Sequence, residues 1–584
     1  MLRLAVLPLA VLLIVPACVG ADRDPLDAED APFPSGKADG SLEAGSPEAR
    51  AVLALVNDSA VDVGVLDDGA ALNRLAAEHI IAHRDGADGL AGTSDDDLFD
   101  DLGELDDVRY VGPYALGQLL AYALANGYGQ PAQAASVIFS PMPYENSHNV
   151  RVAGLIDQAQ HTLDIAMYSY SDARIAAALE RAVARGVNVR FIFETARQDR
   201  TLTGTALTSS KSGRLEQIGI NVRWVNKIMH HKFVIIDGPR DEAARADTAT
   251  IVSGSGNWSN GAATRYDENT LFLTGHREQT LRLQQEFNLM WAHSRDVVVD
   301  ASLPYELSSY DIGAAGILDE PDNHAYFTSD NFTVSGTTFR VSGKNTVSDA
   351  LVAAIESADT SIHVATGHLR SRPISEALLA AKIARPWLDI KIYLDGQEFI
   401  SDWYQDEQAG ELTACLAAAT SESQTRSCLD KGYYFSHEVA HSDIDLRFKY
   451  YAYRWHFSYA VQMHHKYLVI DGDEVWTGSY NQSDNAEHNT FENVMVFEGP
   501  RFAGLAAAYA ANFAAMWDTG RDAGQYASLM DEVATASTIP LVFDSMALTF
   551  DEVATLKSAI YANCPEINSD AFRSEPERHW TCPR

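Results

Sequence analysis

The sequence predicts an α/β protein made of two duplicated lobes, each a mixed sheet flanked by helices, which together form one active site behind a small α-helical domain. A run of helix, strand, helix, strand over residues 152–160, 162–168, 173–185 and 188–193 recurs over 346–358, 361–366, 374–383 and 388–394. Each run then leads into the same short motif. Ahead of both, residues 48–130 carry apolar positions at helical spacing only, around 49–56, 70–83 and 116–125. These observations place lobe 1 at 140–300, lobe 2 at 330–520 and a C-terminal extension at 521–584.

The repeated motif is His230-His231-Lys232 with Asp237, then His464-His465-Lys466 with Asp471. Each copy is followed by Gly-Ser-x-Asn, supplying Ser255 and Asn257, then Ser479 and Asn481. A Glu-Asn pair comes eleven residues after each Asn, at Glu268 and Glu492. The residues after each Lys are apolar and read as a buried strand. Period-two alternation puts His230 and Lys232 on one face, and likewise His464 and Lys466. His231 and His465 then point away and are expected to pack.

A phosphodiester resists nucleophiles because its oxygens are charged. Cleaving it takes a nucleophile, a proton donor for the leaving alkoxide and cations around the non-bridging oxygens. Two imidazoles suit the first two tasks, because histidine titrates near neutrality. Lys232, Lys466, the Asn257 and Asn481 amides and the Ser255 and Ser479 hydroxyls suit the third. The protein thus supplies the positive charge itself, so no metal and no cofactor is demanded, and neither repeat holds a convincing metal-ligand set.

This paired motif resembles that of the phospholipase D superfamily. The resemblance implies that His230 attacks phosphorus to give a phosphohistidine and that His464 protonates the leaving group, then activates water or an alcohol. It also implies that Lys232, Lys466, Asn257 and Asn481 bind phosphate oxygens and that Glu268 and Glu492 orient the histidines. Asp237 and Asp471 complete the motif and are expected to hold its strand through hydrogen bonds. Residues 238–250 make an enlarged turn that the second copy lacks.

Composition bears on partners. The net charge of −37 works against nonspecific nucleic-acid binding but not against a local basic cleft. Residues 1–18 read as an export signal: a positive start, an apolar run from Leu4 to Val15 and a small-residue end at Ala17-Cys18. Val15-Pro16-Ala17-Cys18 resembles a bacterial lipobox with Cys18 as the lipidated residue, so the chain is expected as an outer-envelope lipoprotein or a secreted protein. Residues 19–47 read as a flexible acidic linker. Cys415, Cys428, Cys564 and Cys582 suggest two disulfides in an exported chain. Three connectivities exist, and the local one closes the shortest loops.

In the helical domain, residues 108–115 are similar to a helix-hairpin-helix, with a structural helix pair the simpler expectation. The Asp95-Asp96-Asp97 neighbourhood offers oxygens for Ca²⁺ but lacks EF-hand spacing, so it reads as a solvated loop. The aromatic-rich stretch from Tyr433 to Tyr459 suits an acyl-chain wall, a base-stacking surface or a core. Both half-sites lie in one chain, which points to a monomer. Phospholipid, or the membrane surface that presents it, is the expected substrate. An exported endonuclease and a cardiolipin synthase-like phosphatidyltransferase are the alternatives, and a vestigial lipoprotein that docks a protein is a third reading.

Overall fold

The computed structural model describes residues 47–583 except 94, 127, 129–133, 241, 298–322, 430–433 and 575–579. The expected export signal, Cys18, the linker up to residue 46 and Tyr433 lie outside the described residues. The chain divides into two compact units, Met1–Gln130 and Pro131–Arg584.

In the first unit, helices Pro47–Val56, Arg74–Arg84, Leu102–Asp106 and Pro113–Ala125 bury Val52, Leu55, Ile80, Leu105, Leu116 and Leu119 against one another. Asn73 and Asp101 cap two of these helices through their side chains, and Pro113 opens a third, where its missing N–H costs nothing. The stretch with helix-hairpin-helix character forms the turn between the last two helices, with Tyr110 at φ 73°. In the acidic loop the carboxylates bind their own backbone. Asp95 accepts from the N–H of Ala87 and Asp88, and Asp96 accepts from that of Gly92.

The second unit holds two eight-stranded sheets whose strands run in matching spatial order. In the first sheet the order is Ala134–Ser140, Glu268–Thr274, Thr250–Gly254, Lys232–Ile236, Thr162–Met167, Asn188–Phe193, Asn221–Trp224 and Arg295–Asp296. In the second it is Asn323–Phe327, Asn493–Phe497, Glu474–Gly478, Lys466–Ile470, Ser361–Thr366, Asp389–Asp395, Asp445–Ala452 and Val542–Leu548. The motif strand is fourth in each. It lies antiparallel to the first strand of its repeat, which in turn pairs parallel with the next, the outcome of a helical crossover. Each sheet buries one face under its own helices. The other faces share a core containing Phe233, Phe287, Tyr467, Val469, Tyr509 and Phe513. That shared core explains why the strands read as continuous apolar runs.

One expectation needs correction. Residues 521–584 are not an appendage: Val542–Leu548 forms the edge strand of the second sheet, where the first has only Arg295–Asp296. Helix Phe550–Asn563 follows that strand, and the segment ends in a small ladder of Thr538–Pro540 with Thr581–Pro583. The enlarged turn after Asp237 joins two paired strands, as expected. It inserts Arg240, 6% exposed, beside Asp164, which Arg190 also holds at 2.7 and 2.6 Å. The two guanidinium groups hold the buried Asp164 carboxyl far below its usual range despite desolvation. The disulfides pair locally, Cys415 with Cys428 and Cys564 with Cys582.

Candidate active site

The two motif histidines begin the central strands of facing sheets, and the backbone ties the lobes together there. Ile228 and Met229 pair with Thr490 and Phe491, and His230 N–H donates to the Phe491 carbonyl at 3.1 Å. On the other side Asp267 bridges to Met463, and His464 N–H donates to the Asp267 carbonyl at 3.0 Å. Each histidine is thereby set beside the glutamate of the opposite repeat. His230 Nδ1 lies 2.8 and 2.9 Å from the Glu492 oxygens, and His464 Nδ1 lies 2.8 Å from Glu268 Oε1. Glu268 and Glu492 were expected to orient the histidines; the structure adds that the pairing is crossed.

The asparagines next to those glutamates lock the crossing. Asn269 Nδ2 donates to Thr477 Oγ1 at 2.7 Å, and Asn493 Nδ2 donates to Ser253 Oγ at 3.1 Å. The middle histidines are wholly buried and face the same asparagines. His231 Nδ1 is 3.3 Å from Asn493 Oδ1, and His465 Nδ1 is 3.2 Å from Asn269 Oδ1. They pack, as the strand alternation requires. One more pair was missed by sequence reasoning. Glu194, just after the parallel strand of its lobe, and Asp395, the last residue of the other, accept the N–H of Met229 and Met463, the residues just before the motif histidines, at 2.8 Å in both cases. Their only sequence signal is a matched position after corresponding strands.

Lys232 and Lys466 are buried and bend back to donate to the carbonyls of His230 and His464, at 2.6 and 2.8 Å. Burial lowers both ammonium groups, Lys232 to about 7 and Lys466 to about 8, against the pull of the two glutamates. Burial likewise pushes His230 down to about 3 and His464 well below its usual value, with the lysines adding to the effect. Burial raises Glu268 to about 7, opposed by Lys466, whereas the charges of His230 and Lys232 keep Glu492 below its normal value.

The remaining motif residues sort into two places. Asn257 and Asn481 are half-buried, and their buried Oδ1 atoms find no hydrogen-bond partner among the described residues. Ser255 and Ser479 are wholly buried, and their hydroxyls accept the N–H of Asn269 and Asn493 at 2.9 and 3.1 Å. They brace the Glu-Asn segments, which corrects the expectation that they donate to phosphate. Asp237 and Asp471 stand at the far ends of the strands, roughly 20 Å along the chain from the histidines. Asp237 accepts N–H groups of Gln160, His161 and Thr162, and Asp471 accepts those of Asp359, Thr360 and Ser361. Both adopt positive φ, 52° and 53°, to do so. They hold the motif strand, as expected, and do not belong to the reacting group.

The flanks of the site differ. An open groove is lined by Arg197, Lys227 and Arg340 together with Asn226, Asn485 and Asn489. None of these three cations forms an ion pair among the described residues. Of the aromatic stretch, Phe435, Phe448, Tyr450, Tyr451 and Tyr459 are buried, while Trp455 and Phe457 are exposed, seven to nine residues before His464. Most of that stretch is therefore core.

A family model described as "Cardiolipin synthase, PLD-like domain" matches residues 152–291 and 351–517, just over half of the chain. The mitochondrial cardiolipin hydrolase of Xenopus tropicalis is 29% identical over 153 residues, covering 26% of this chain and 64% of that protein. The mitochondrial cardiolipin hydrolase of Danio rerio is 32% identical over 139 residues, covering 23% and 53%. The chain thus spans between half and two-thirds of the length of these relatives. Among solved structures, the phospholipase D family member Nuc from Salmonella typhimurium is 26% identical and covers 28% of this chain and 97% of its own, with a TM-score of 0.23.

Proposed function

This chain belongs to the phospholipase D-like family, and on that premise we propose that it is an exported phosphodiesterase that hydrolyses glycerophospholipids to phosphatidate and free headgroup. The observation that carries the proposal is the crossed His230–Glu492 and His464–Glu268 pairing beside two buried lysines. A carboxylate only accepts, so Glu492 fixes the His230 proton on Nδ1 and leaves the Nε2 lone pair free. Nε2 attacks phosphorus, the bond to the alkoxide breaks, and His464 gives that oxygen its proton. Water, losing a proton to His464, then displaces His230 and releases the phosphate product. Lys232 and Lys466, with the half-buried Asn257 and Asn481, neutralise the phosphate oxygens, and the bound anion raises the lysine and histidine pKa values.

Two surfaces favour an amphipathic substrate. The Arg197–Lys227–Arg340 groove suits anionic headgroup atoms, and exposed Trp455 and Phe457 suit a lipid boundary. The names of the relatives point to lipid as well. Export and lipidation at Cys18 rest on residues 1–18 alone. The test is to incubate the protein with mixed phospholipid vesicles and, separately, with plasmid DNA, both in EDTA. Phosphatidate release supports the proposal. Nicked DNA with intact lipid replaces it with the endonuclease reading, and silence on both sinks the enzyme reading.

A further inference from the structure

Sequence reading finds no metal set in either repeat, yet the fold brings together three ligand-bearing side chains that are not part of the catalytic pair. Asp402 opens the helix Asp402–Ala418, while His437 and His441 lie one turn apart at the end of the helix Tyr434–Ala440. His437 Nε2 is 2.9 Å and His441 Nε2 is 3.2 Å from the same oxygen, Asp402 Oδ1. The imidazole rings stack with centroids 4.0 Å apart.

The backbone fixes which ring nitrogen of His441 is available to a ligand. His441 Nδ1 lies 3.0 Å from the His437 carbonyl, which can only accept, so that nitrogen carries the hydrogen. In the neutral ring His441 Nε2 then presents a lone pair to an anionic oxygen. A divalent cation among the three atoms would take that lone pair together with His437 Nε2 and the Asp402 carboxylate oxygen. Metal–ligand bonds of about 2.0–2.2 Å, at angles from right to tetrahedral, set neighbouring donors roughly 2.9–3.6 Å apart, and both histidine–carboxylate separations fall in that range. A ligating histidine whose other nitrogen donates to a backbone carbonyl is also the expected support. Phe550 packs against both rings, at 5.4 and 4.3 Å, and gives the cluster an apolar side.

We infer that Asp402, His437 and His441 form a binding site for a divalent transition-metal ion of the zinc type, leaving a fourth position to water. Such an ion joins the helix Asp402–Ala418 to the helix Tyr434–Ala440, as the Cys415–Cys428 disulfide joins it to the helix Glu422–Leu429. The site clips the helical insertion between two strands of the second sheet and takes no part in phosphodiester chemistry, so it stands whether or not the proposed function does.

The test uses the full chain, stripped with chelator and titrated with Zn²⁺ by calorimetry, with Co²⁺ absorption as a report on the donor set. One Zn²⁺ per chain is expected, together with a higher melting temperature in zinc. His441→Ala and Asp402→Ala should each weaken binding at least about tenfold, since even loss of a supporting partner costs that much. Both should leave phosphodiesterase turnover at 25 °C unchanged, and His363→Ala should bind like the parent. The idea is overturned if the parent shows no saturable binding, or if both ligand variants bind zinc as tightly as the parent.

Discussion

His230 sits against the ring of Tyr168, 4.5 Å between centroids, with Nδ1 hydrogen-bonded to Glu492. His464 has Gly367 in the corresponding place, and although Glu268 lies 2.8 Å away, the two are not aligned for a hydrogen bond. The correspondence is fixed by the backbone: Tyr168 N–H donates to the His231 carbonyl and Gly367 N–H to the His465 carbonyl. Next to Gly367 stands His368, whose Nδ1 is 2.8 Å from buried Glu398. The residue before each glutamate differs too, being apolar Phe491 in one half and Asp267, paired with Lys449 at 2.7 Å, in the other. Two half-sites spelled with the same motif thus differ in charge and access. A neutral ring held by an anionic carboxylate suits attack, and a looser ring beside a carboxyl near its titration point suits proton exchange.

The sharpest way to break that comparison is to remove each histidine. His230→Asn should lower turnover at least about 10⁴-fold, the scale of losing a nucleophile. His464→Asn should lose comparable turnover with an ordinary leaving group but accumulate labelled phosphoenzyme with a good one. Quench-flow with labelled substrate reads both. Label trapped in His230→Asn instead would reverse the roles assigned to the two halves.

The glutamates come next. Glu492→Gln should cost about 10²–10³-fold in kcat, because it replaces an anion that only accepts with an amide that can also donate, so the His230 tautomer is no longer fixed. Glu268→Gln should cost less and change the pH profile. The Glu268 carboxyl is raised to about 7, so its anionic form is lost as pH falls through that value and kcat/KM should fall with it. Lys232 and Lys466, lowered to about 7 and 8, lose their charge as pH rises, which gives the alkaline limb. Glu268→Gln should flatten the acid limb alone, and an unchanged profile would remove Glu268 from the titrating set.

Much of this geometry is legible in the sequence, and the part that is not has a physical reason. Strands at 162–168, 188–193, 361–366 and 388–394 are apolar runs bounded by helices with clear periodicity, so local pattern suffices, and each lies within a residue of its observed bounds. His230, Lys232 and their counterparts follow from alternation along one strand. The crossing of Glu268 and Glu492 does not, because spacing within a repeat says nothing about which repeat a carboxylate faces. Ser255 and Ser479 look like phosphate donors until burial and the Asn269 and Asn493 N–H groups are seen. The final edge strand Val542–Leu548 lies beyond the duplicated part, and its counterpart in the first sheet, Arg295–Asp296, is too short to align to it.

A moderate effect tests the open place beside His464. A Cβ on Gly367 would come 2.9 Å from the Met463 carbonyl, backbone that cannot rotate away and that precedes His464. Gly367→Ala should therefore shift His464 and lower kcat about tenfold with little change in KM, in line with the cost of a small misplacement near reacting groups. Tyr168→Ala, on the other side, opens space without a clash and should alter KM more than kcat. Equal effects on kcat would mean that both histidines tolerate displacement alike.

The smallest effect concerns the cationic flank. Lys227 lies three residues before His230 and donates to the His488 carbonyl, whereas the matching position before His464 is Val461. Partial burial already lowers Lys227, with the charges of Arg426 and Arg197 adding to this, so an anion entering the groove meets concentrated positive charge in a chain of net −37. Lys227→Ala and Arg340→Ala should each raise KM about three- to tenfold for anionic phospholipid, leave kcat near the parent value and change zwitterionic lipid turnover little. The loss should shrink as salt rises from 50 to 300 mM, because exposed charges are screened over about 10 Å at 0.1 M. A KM that rises equally for zwitterionic lipid, or a loss insensitive to salt, would mean that the groove shapes the His230 half by packing and not by charge.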